Sequence, residues 1–394
     1  MAALQSGSLG TRVRHRSIAR VARRLALAAL PAACSLVTAA SAQPADLYVS
    51  PGGSDEATGS QQAPLRTISA ASERARPGTT VHVAPGSYDG GLITSSSGTA
   101  DAPIRYVSVA RGRAIIRPPG RSIRDMAWEN RGAYVVIDGF DVDGSEPGAG
   151  LRWRIGIYST GSGSVIENNR VHHIARDVPC NGRGGAGIEG DSWSGGSDIS
   201  LMGNIVHDIG PRLCKFIQGL YQTASGTVAN NLVYRVSGWG IHLWHDVHDV
   251  RVVNNTVFNS AAGGILVGGG DYVHTTGPAD HIVVANNIVF DNAGYGIIED
   301  GDTGSHNLFT HNLVYRSGIN WRLKTSAADR AAIAADPRFV RYDRDGGGDY
   351  RLAPDSPAIG AGALDYAPVL DLAGTTRQRT GGDTIGAFDR PAPH

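Results

Sequence analysis

Lysine occurs only twice in the 394 residues, at positions 215 and 324, and cysteine only three times. The first 42 residues carry six arginines and no acid. They run through the apolar "LALAALPAACSLVTAA" to Ala40-Ser41-Ala42, which reads as a secretory signal peptide cleaved after Ala42. No later apolar run reaches membrane-spanning length, which excludes a transmembrane helix in the exported chain. Removing the segment takes six from the 36 basic residues, leaving 30 against 36 acidic ones, a net charge of −6. A mildly acidic surface excludes the basic face that nucleic-acid binding requires. Two cysteines, Cys180 and Cys214, are too few for a disulfide scaffold, although an oxidising compartment would let them pair.

What the sequence has is repetition. Gly followed by an apolar residue recurs as "GIY" at 156, "GIE" at 187, "GLY" at 219, "GIH" at 240, "GIL" at 264 and "GII" at 296. Each is followed by a second landmark: "ENNRVHHI", "MGNIVHDI", "ANNLVYRV", "VNNTVFNS", "ANNIVFDN", "THNLVYRS". The first landmark returns after 31, 32, 21, 24 and 32 residues, so the short intervals give the bare unit and the long ones carry insertions. Each unit is two or three short β-branched strands separated by Gly and Asn turns. One unit cannot bury its own apolar face, so units stack, and stacked coils of this length make a parallel β-helix. Asn169, Asn204, Asn231, Asn255, Asn287 and Asn312 fit turn geometry and side-chain ladders between coils, and are read as scaffold.

The ends carry a resemblance. "LYVSPGGSDEATGSQQAPLRTISAASERARPGTTVHVAPGSY" resembles the opening of secreted bacterial right-handed parallel β-helix proteins, the scaffold of β-helix polysaccharide lyases of the pectate lyase and chondroitinase B type. It implies a short capping helix over Thr67–Arg76 and a first strand in "PGTTVHVAPGSY". "DPRFV", "DYRLAPDSPAIGAG" and "DTIGAFD" resemble the closing segment of the same proteins. The expected fold is therefore all-β, a single right-handed parallel β-helix with a short N-terminal capping helix. The expected organisation is a signal peptide over 1–42, a cap and first coils over 43–129, the core over 130–320 and a closing segment over 321–394. The chain is expected to be secreted or periplasmic and monomeric. A second reading uses Cys34, because "LPAAC" is similar to a bacterial lipobox, with Pro31 where Leu is expected. The scaffold alone does not give the function, since it hosts lyases, glycosidases, epimerases and adhesins.

Strand alternation narrows the site. With the apolar residue after Gly pointing inward, the outward column reads Tyr158, Glu189, Tyr221, His242, Leu266, Ile298. The next reads Thr160, Asp191, Thr223, Trp244, Gly268, Asp300. Coils stand about 4.8 Å apart, which sets Tyr221 beside His242 and Glu189 two spacings away. Asp300, four coils from Glu189, would be about 19 Å off and cannot share its reaction centre. The longest insertions, "RVHHIARDVPCNGRGGA" and "IVHDIGPRLCKFIQ", would wall a groove over these residues. They bring Arg183, Arg212 and Lys215 to its rim and would be stapled if Cys180 and Cys214 pair. Trp244 and His245 complete a surface suited to sugar rings. His207, His248, His281 and His311 lie near turns and are read as solvated or as ladder partners; Trp239 is read as packing.

The chemistry expected is carbohydrate chemistry on a polysaccharide substrate. A lyase needs a uronate carboxylate neutralised by Arg183 or Arg212, with proton transfer by His242, Tyr221 or Lys215. A calcium ion held by Glu189 and Asp191 would neutralise the carboxylate equally well. A glycoside hydrolase would use Glu189 with Asp191 as its two carboxylates. A uronan C5-epimerase is the weaker match, because the "YGxDPHD" of alginate epimerases corresponds here to "WGIHLWHD". A non-enzymatic carbohydrate-binding surface protein is the fourth alternative.

Overall fold

The computed structural model describes residues 46–390 other than 120–123, 146–152, 212, 246, 271–276, 325–328 and 380. The N-terminal segment with Cys34, and Arg212 on the groove rim, lie outside the described residues. Each strand is too short to bury a face alone, so each pairs with its counterpart one coil on. Three parallel sheets result, of ten, nine and nine strands among the described residues. In the sheet that carries the Gly-apolar landmark, Ile157, Ile188, Leu220, Ile241, Ile265 and Ile297 lie in register and are fully buried. This is the expected parallel β-helix. No helix among the described residues is long and apolar enough to cross a membrane.

The two sequence landmarks meet in space. A Cβ added to Gly156, Gly187, Gly219, Gly240, Gly264 or Gly296 would lie 2.3–2.6 Å from a Cγ1 methyl of Val171, Val206, Val233, Val257, Val289 or Val314 respectively. Each valine belongs to the second landmark of the same coil. The glycine thus faces the core, where the valine already fills the space, and any larger side chain would overpack the coil.

The Asn pairs divide two tasks. Asn168, Asn230, Asn254 and Asn286, first in their pairs, hold left-handed backbone with φ of 55–59°. The second residue of each pair joins the ladder: Asn231 Nδ2 donates to Asn255 Oδ1 at 2.9 Å, and Asn255 Nδ2 to Asn287 Oδ1 at 2.9 Å. All three are fully buried. Their amides satisfy one another where water cannot reach.

Helix Ile68–Arg74 covers the N-terminal end, with Thr67 Oγ1 accepting from Ala70 N at 3.1 Å and Ile68 and Ala71 buried beneath it. Strand Leu47–Val49 precedes the expected first strand and pairs with it over Thr80–Val83, so the opening segment contributes one strand more than its motif suggested. The closing segment lies along the flank of the coils. Its Arg377 donates to Asn230 Oδ1 at 2.7 Å, and Asn254 Nδ2 donates to Asp383 Oδ2 at 2.6 Å. Tyr342 and Tyr350 pack on Phe258 with centroids 5.5 and 4.6 Å away.

Beneath those tyrosines runs an in-register stack of His172, His207, Tyr234 and Phe258, with centroids 4.9–5.0 Å apart and rings within 5° of parallel. His207 is therefore not a solvated turn residue, contrary to expectation. The register of its sheet places it between two aromatic rings, and its Nδ1 meets Asp208 Oδ2 at 2.7 Å. His248 does lie in solvent, paired with Asp249 at 2.9 Å.

Candidate functional site

The landmark sheet carries the groove. Its first outward column runs Glu129, Tyr158, Glu189, Tyr221, His242, Leu266, Ile298 in continuous register. A groove of about 480 Å³ lies over the middle of it, lined by Gly182–Gly185, Lys215, Phe216, Trp239, Trp244 and His245. Cys180 and Cys214 are disulfide-bonded, so the two loops that carry Arg183 and Lys215 are tied together at the rim. The cross-link limits how far that wall can splay from the floor.

Tyr221 and His242 stand side by side on the floor with ring centroids 5.0 Å apart and planes 28° from parallel. His245, on left-handed backbone at φ 63°, brings its ring to 5.9 Å from Tyr221. The rings of Trp244 and Trp239 stand 5.6 and 6.4 Å from His242. Among the described residues His242 Nδ1 is buried without a hydrogen-bond partner. Desolvation, then the neighbouring His245, push the His242 pKa down to about 3, so the imidazole is neutral at any ordinary pH. Glu189 is partly reachable from the groove yet enclosed by protein. Desolvation, then the charge of Asp191, raise its pKa well above the usual carboxylate range.

Asp191 has a different place. Its Oδ2 accepts from the Tyr158 hydroxyl, and its Oδ1 from Thr223 Oγ1 at 2.7 Å and Trp193 N at 3.2 Å. The residue is buried and does not line the groove. Calcium takes six to eight oxygens, chiefly from ionised carboxylates. Asp191, turned from the groove and already held by three protein donors, leaves Glu189 without a partner carboxylate there, so the pair does not fit that ion. Strand alternation placed Asp191 outward, but the turn after strand Gly185–Gly190 folds its carboxylate back onto the protein.

The cations keep their rim positions. Arg183 is exposed and donates through Nη2 to Asp125 Oδ2 at 3.1 Å. Lys215 Nζ lies 5.2 Å from the Phe216 ring centroid. Asp300 lines the same groove at its far end, paired with Arg322 at 3.5 Å and four coils from Glu189, as its column position requires.

A family model for a right-handed β-helix region matches residues 128–316, and one for a protein family of unknown function, DUF1565, matches residues 51–92. The crystal structure of pectate lyase Pel9A covers 88% of this chain and 96% of its own with TM-score 0.61 at 20% identity. The chain is a right-handed parallel β-helix protein, similar in fold to β-helix polysaccharide lyases. A glycoside hydrolase structure covers 73% of this β-helix protein and 96% of its own with TM-score 0.54 at 10% identity. Among curated proteins, 136 residues are 32% identical to the uncharacterized protein YwoF of Bacillus subtilis (strain 168), covering 32% of this chain and 29% of that protein. A further 61 residues are 44% identical to pectate lyase PEL9 of Emericella nidulans, covering 15% of each chain. The β-helix protein thus matches less than a third of the length of these curated relatives.

Two features of the groove escaped sequence reasoning. Trp239 was expected to pack, and it does pack: a Cβ on Gly263 would lie 2.2 Å from its ring. The same ring also lines the groove, because Gly240 and Ile241 both face the core and the alternation breaks there. Strict period-2 counting cannot see that break. Gln218 occupies the equivalent place one coil earlier, lines the groove and accepts from Trp239 N at 3.0 Å. Outward-facing residues immediately before the landmark were the signal available for both.

Proposed function

We propose that the protein is an exported carbohydrate-active enzyme, and specifically a polysaccharide lyase that cleaves a uronate-containing chain by β-elimination. The observation that carries this reading is the Tyr221–His242 pair: a neutral imidazole with an unpartnered nitrogen, against a phenol, on the floor of a groove with cations on its rim. The pectate lyase relatives and the shared scaffold support it. Aromatic walls suit sugar rings, whose C–H faces stack on them.

In this reading Arg183 and Lys215 meet the uronate carboxylate, and the protonated Glu189 donates a further hydrogen bond from the floor. These donors stabilise the charge that grows on the carboxylate as the α-proton leaves. His242 takes that proton, the electron pair forms the ring double bond, and the glycosidic carbon–oxygen bond breaks. The leaving oxygen takes a proton from Tyr221. In the empty groove His242 is a weak base, but a bound carboxylate nearby favours the imidazolium and raises its basicity.

A hydrolase reading retains one supporting observation, the raised pKa of Glu189, which suits a general acid. Among the described residues that line the groove the carboxylates are Glu189 and Asp300, which stand four coils apart, and Asp191 is turned away. The test is a panel of uronate and neutral polysaccharides scored separately for ultraviolet-absorbing unsaturated ends and for reducing ends. The lyase gives unsaturated ends; reducing ends without them would select hydrolysis and overturn the proposal.

A further inference from the structure

A second constellation of titratable groups lies on another sheet, at the end of the histidine–aromatic stack. Asp143 and His172 are register partners on adjacent coils, and His173 follows at a left-handed φ of 58°. One ligand atom from each of Asp143, His172 and His173 falls within 4.8 Å of the other two. His172 Nε2 meets Asp141 Oδ1 at 2.9 Å, and Arg170 holds the other oxygen of that buried carboxylate. Arg170 on the same carboxylate makes Asp141 an acceptor, so His172 Nε2 donates to it and the opposite nitrogen, Nδ1, presents its lone pair.

That lone pair accepts from His173 Nδ1 at 2.6 Å and stands 3.7 Å from Asp143 Oδ1. A divalent ion would displace the shared hydrogen, which His173 would carry instead on its far nitrogen, 3.9 Å from Asp208 Oδ2. Asp143 Oδ1 also accepts from Ser145 N at 2.9 Å, while Arg117 stands 3.5 Å from Oδ2 on the other side. A carboxylate behind a histidine, fixing its tautomer so that the opposite nitrogen points at a common centre with a second imidazole and a carboxylate, is the arrangement that orients metal ligands. Two imidazoles and one carboxylate select a borderline ion such as zinc over calcium or magnesium, which prefer all-oxygen shells.

We propose that Asp143, His172 and His173 bind a divalent ion of the zinc type, oriented by Asp141 and completed by water. The site has a structural consequence. It clips two coils together where the chain leaves strand Arg170–His172 for the loop that carries Cys180 and Arg183. The ion and the disulfide would then anchor the groove wall at its two ends.

The test is isothermal titration of the exported protein, stripped with chelator and dialysed, with zinc chloride. Two variants accompany it. His173→Asn removes one ligand while tolerating the left-handed backbone. His306→Ala removes the separate exposed group Asp280, His281 and His306, whose ligand atoms also lie within 4.8 Å of one another. Zinc is expected to bind the wild type and His306→Ala with micromolar or tighter affinity and to raise the melting temperature of both. In His173→Asn the affinity should fall by at least the roughly 10–100-fold typical of losing a supporting residue. A metal-free melting temperature of His173→Asn equal to wild type would confirm that the turn is intact. Absence of zinc binding, binding unchanged in His173→Asn, or binding lost only in His306→Ala would each overturn the site.

Discussion

Two stacks of rings repeat along this β-helix at the same spacing, and the Tyr221–His242 pair lines the groove described above. His172, His207, Tyr234 and Phe258 repeat at 4.9–5.0 Å, and Tyr221 and His242 sit 5.0 Å apart. The in-register coil spacing dictates both, so ring stacking is not by itself a mark of function. The surroundings differ. The Tyr234 and Phe258 end of the first stack is covered by Tyr342 and Tyr350 of the closing segment, and its imidazoles meet Asp141 and Asp208. The second lies under disulfide-tied loops, and its imidazole nitrogen Nδ1 meets no partner among the described residues. Cover and satisfied polar atoms belong to scaffold; an uncovered, unsatisfied imidazole beside a phenol is the costlier arrangement, and one that chemistry would explain.

The contrast breaks most sharply at the groove pair. His242→Ala and Tyr221→Phe should each lower turnover on the active polysaccharide by about 10²–10⁴ while the melting temperature stays near wild type. Retained activity, or unfolding in place of inactivation, would make the pair another piece of scaffold. In the covered stack the outcome should invert. Phe258→Ala removes a fully buried ring and should destabilise by about 3–5 kcal/mol in chemical denaturation, with turnover per folded molecule unchanged.

The cross-link that separates the two surroundings gives the next effect. Thiol titration of the denatured, unreduced exported protein should find no free Cys180 or Cys214. The double alanine variant should lose about 2–4 kcal/mol. Two free thiols would remove the staple from the groove wall.

Glu189 sharpens the difference through pH. Its folded pKa stands above its ordinary value of 4.5, so the native state holds the proton more tightly than the unfolded chain. Its contribution to stability is complete below about pH 4.5 and is lost as pH rises through the folded value. Glu189→Gln should flatten the fall in melting temperature between pH 5 and 9. An identical slope in both proteins would show that Glu189 ionises freely. The smallest effect belongs to His248→Ala, which should stay within about 0.5 kcal/mol of wild-type stability and keep its activity, because that imidazole is exposed.

The repeat alone determined the parallel β-helix, the Asn ladder and the outward column through Glu189, Tyr221 and His242. Each of these follows from spacing: a coil of fixed length stacked in register places equivalent residues above one another, so a periodic sequence states its own neighbours. Tertiary structure decided everything that depends on how non-repeating segments fold back. Asp191 left the groove because a turn bends its carboxylate onto Tyr158 and Thr223. Trp239 entered the groove because Gly240 and Ile241 both face the core, which breaks the alternation before them. The closing segment, far away in sequence, covers the Tyr234 and Phe258 end of the stack that His207 enters by register. Burial and partnership are set by contacts between segments that share no period, and those contacts separate an imidazole that packs from one placed to move a proton.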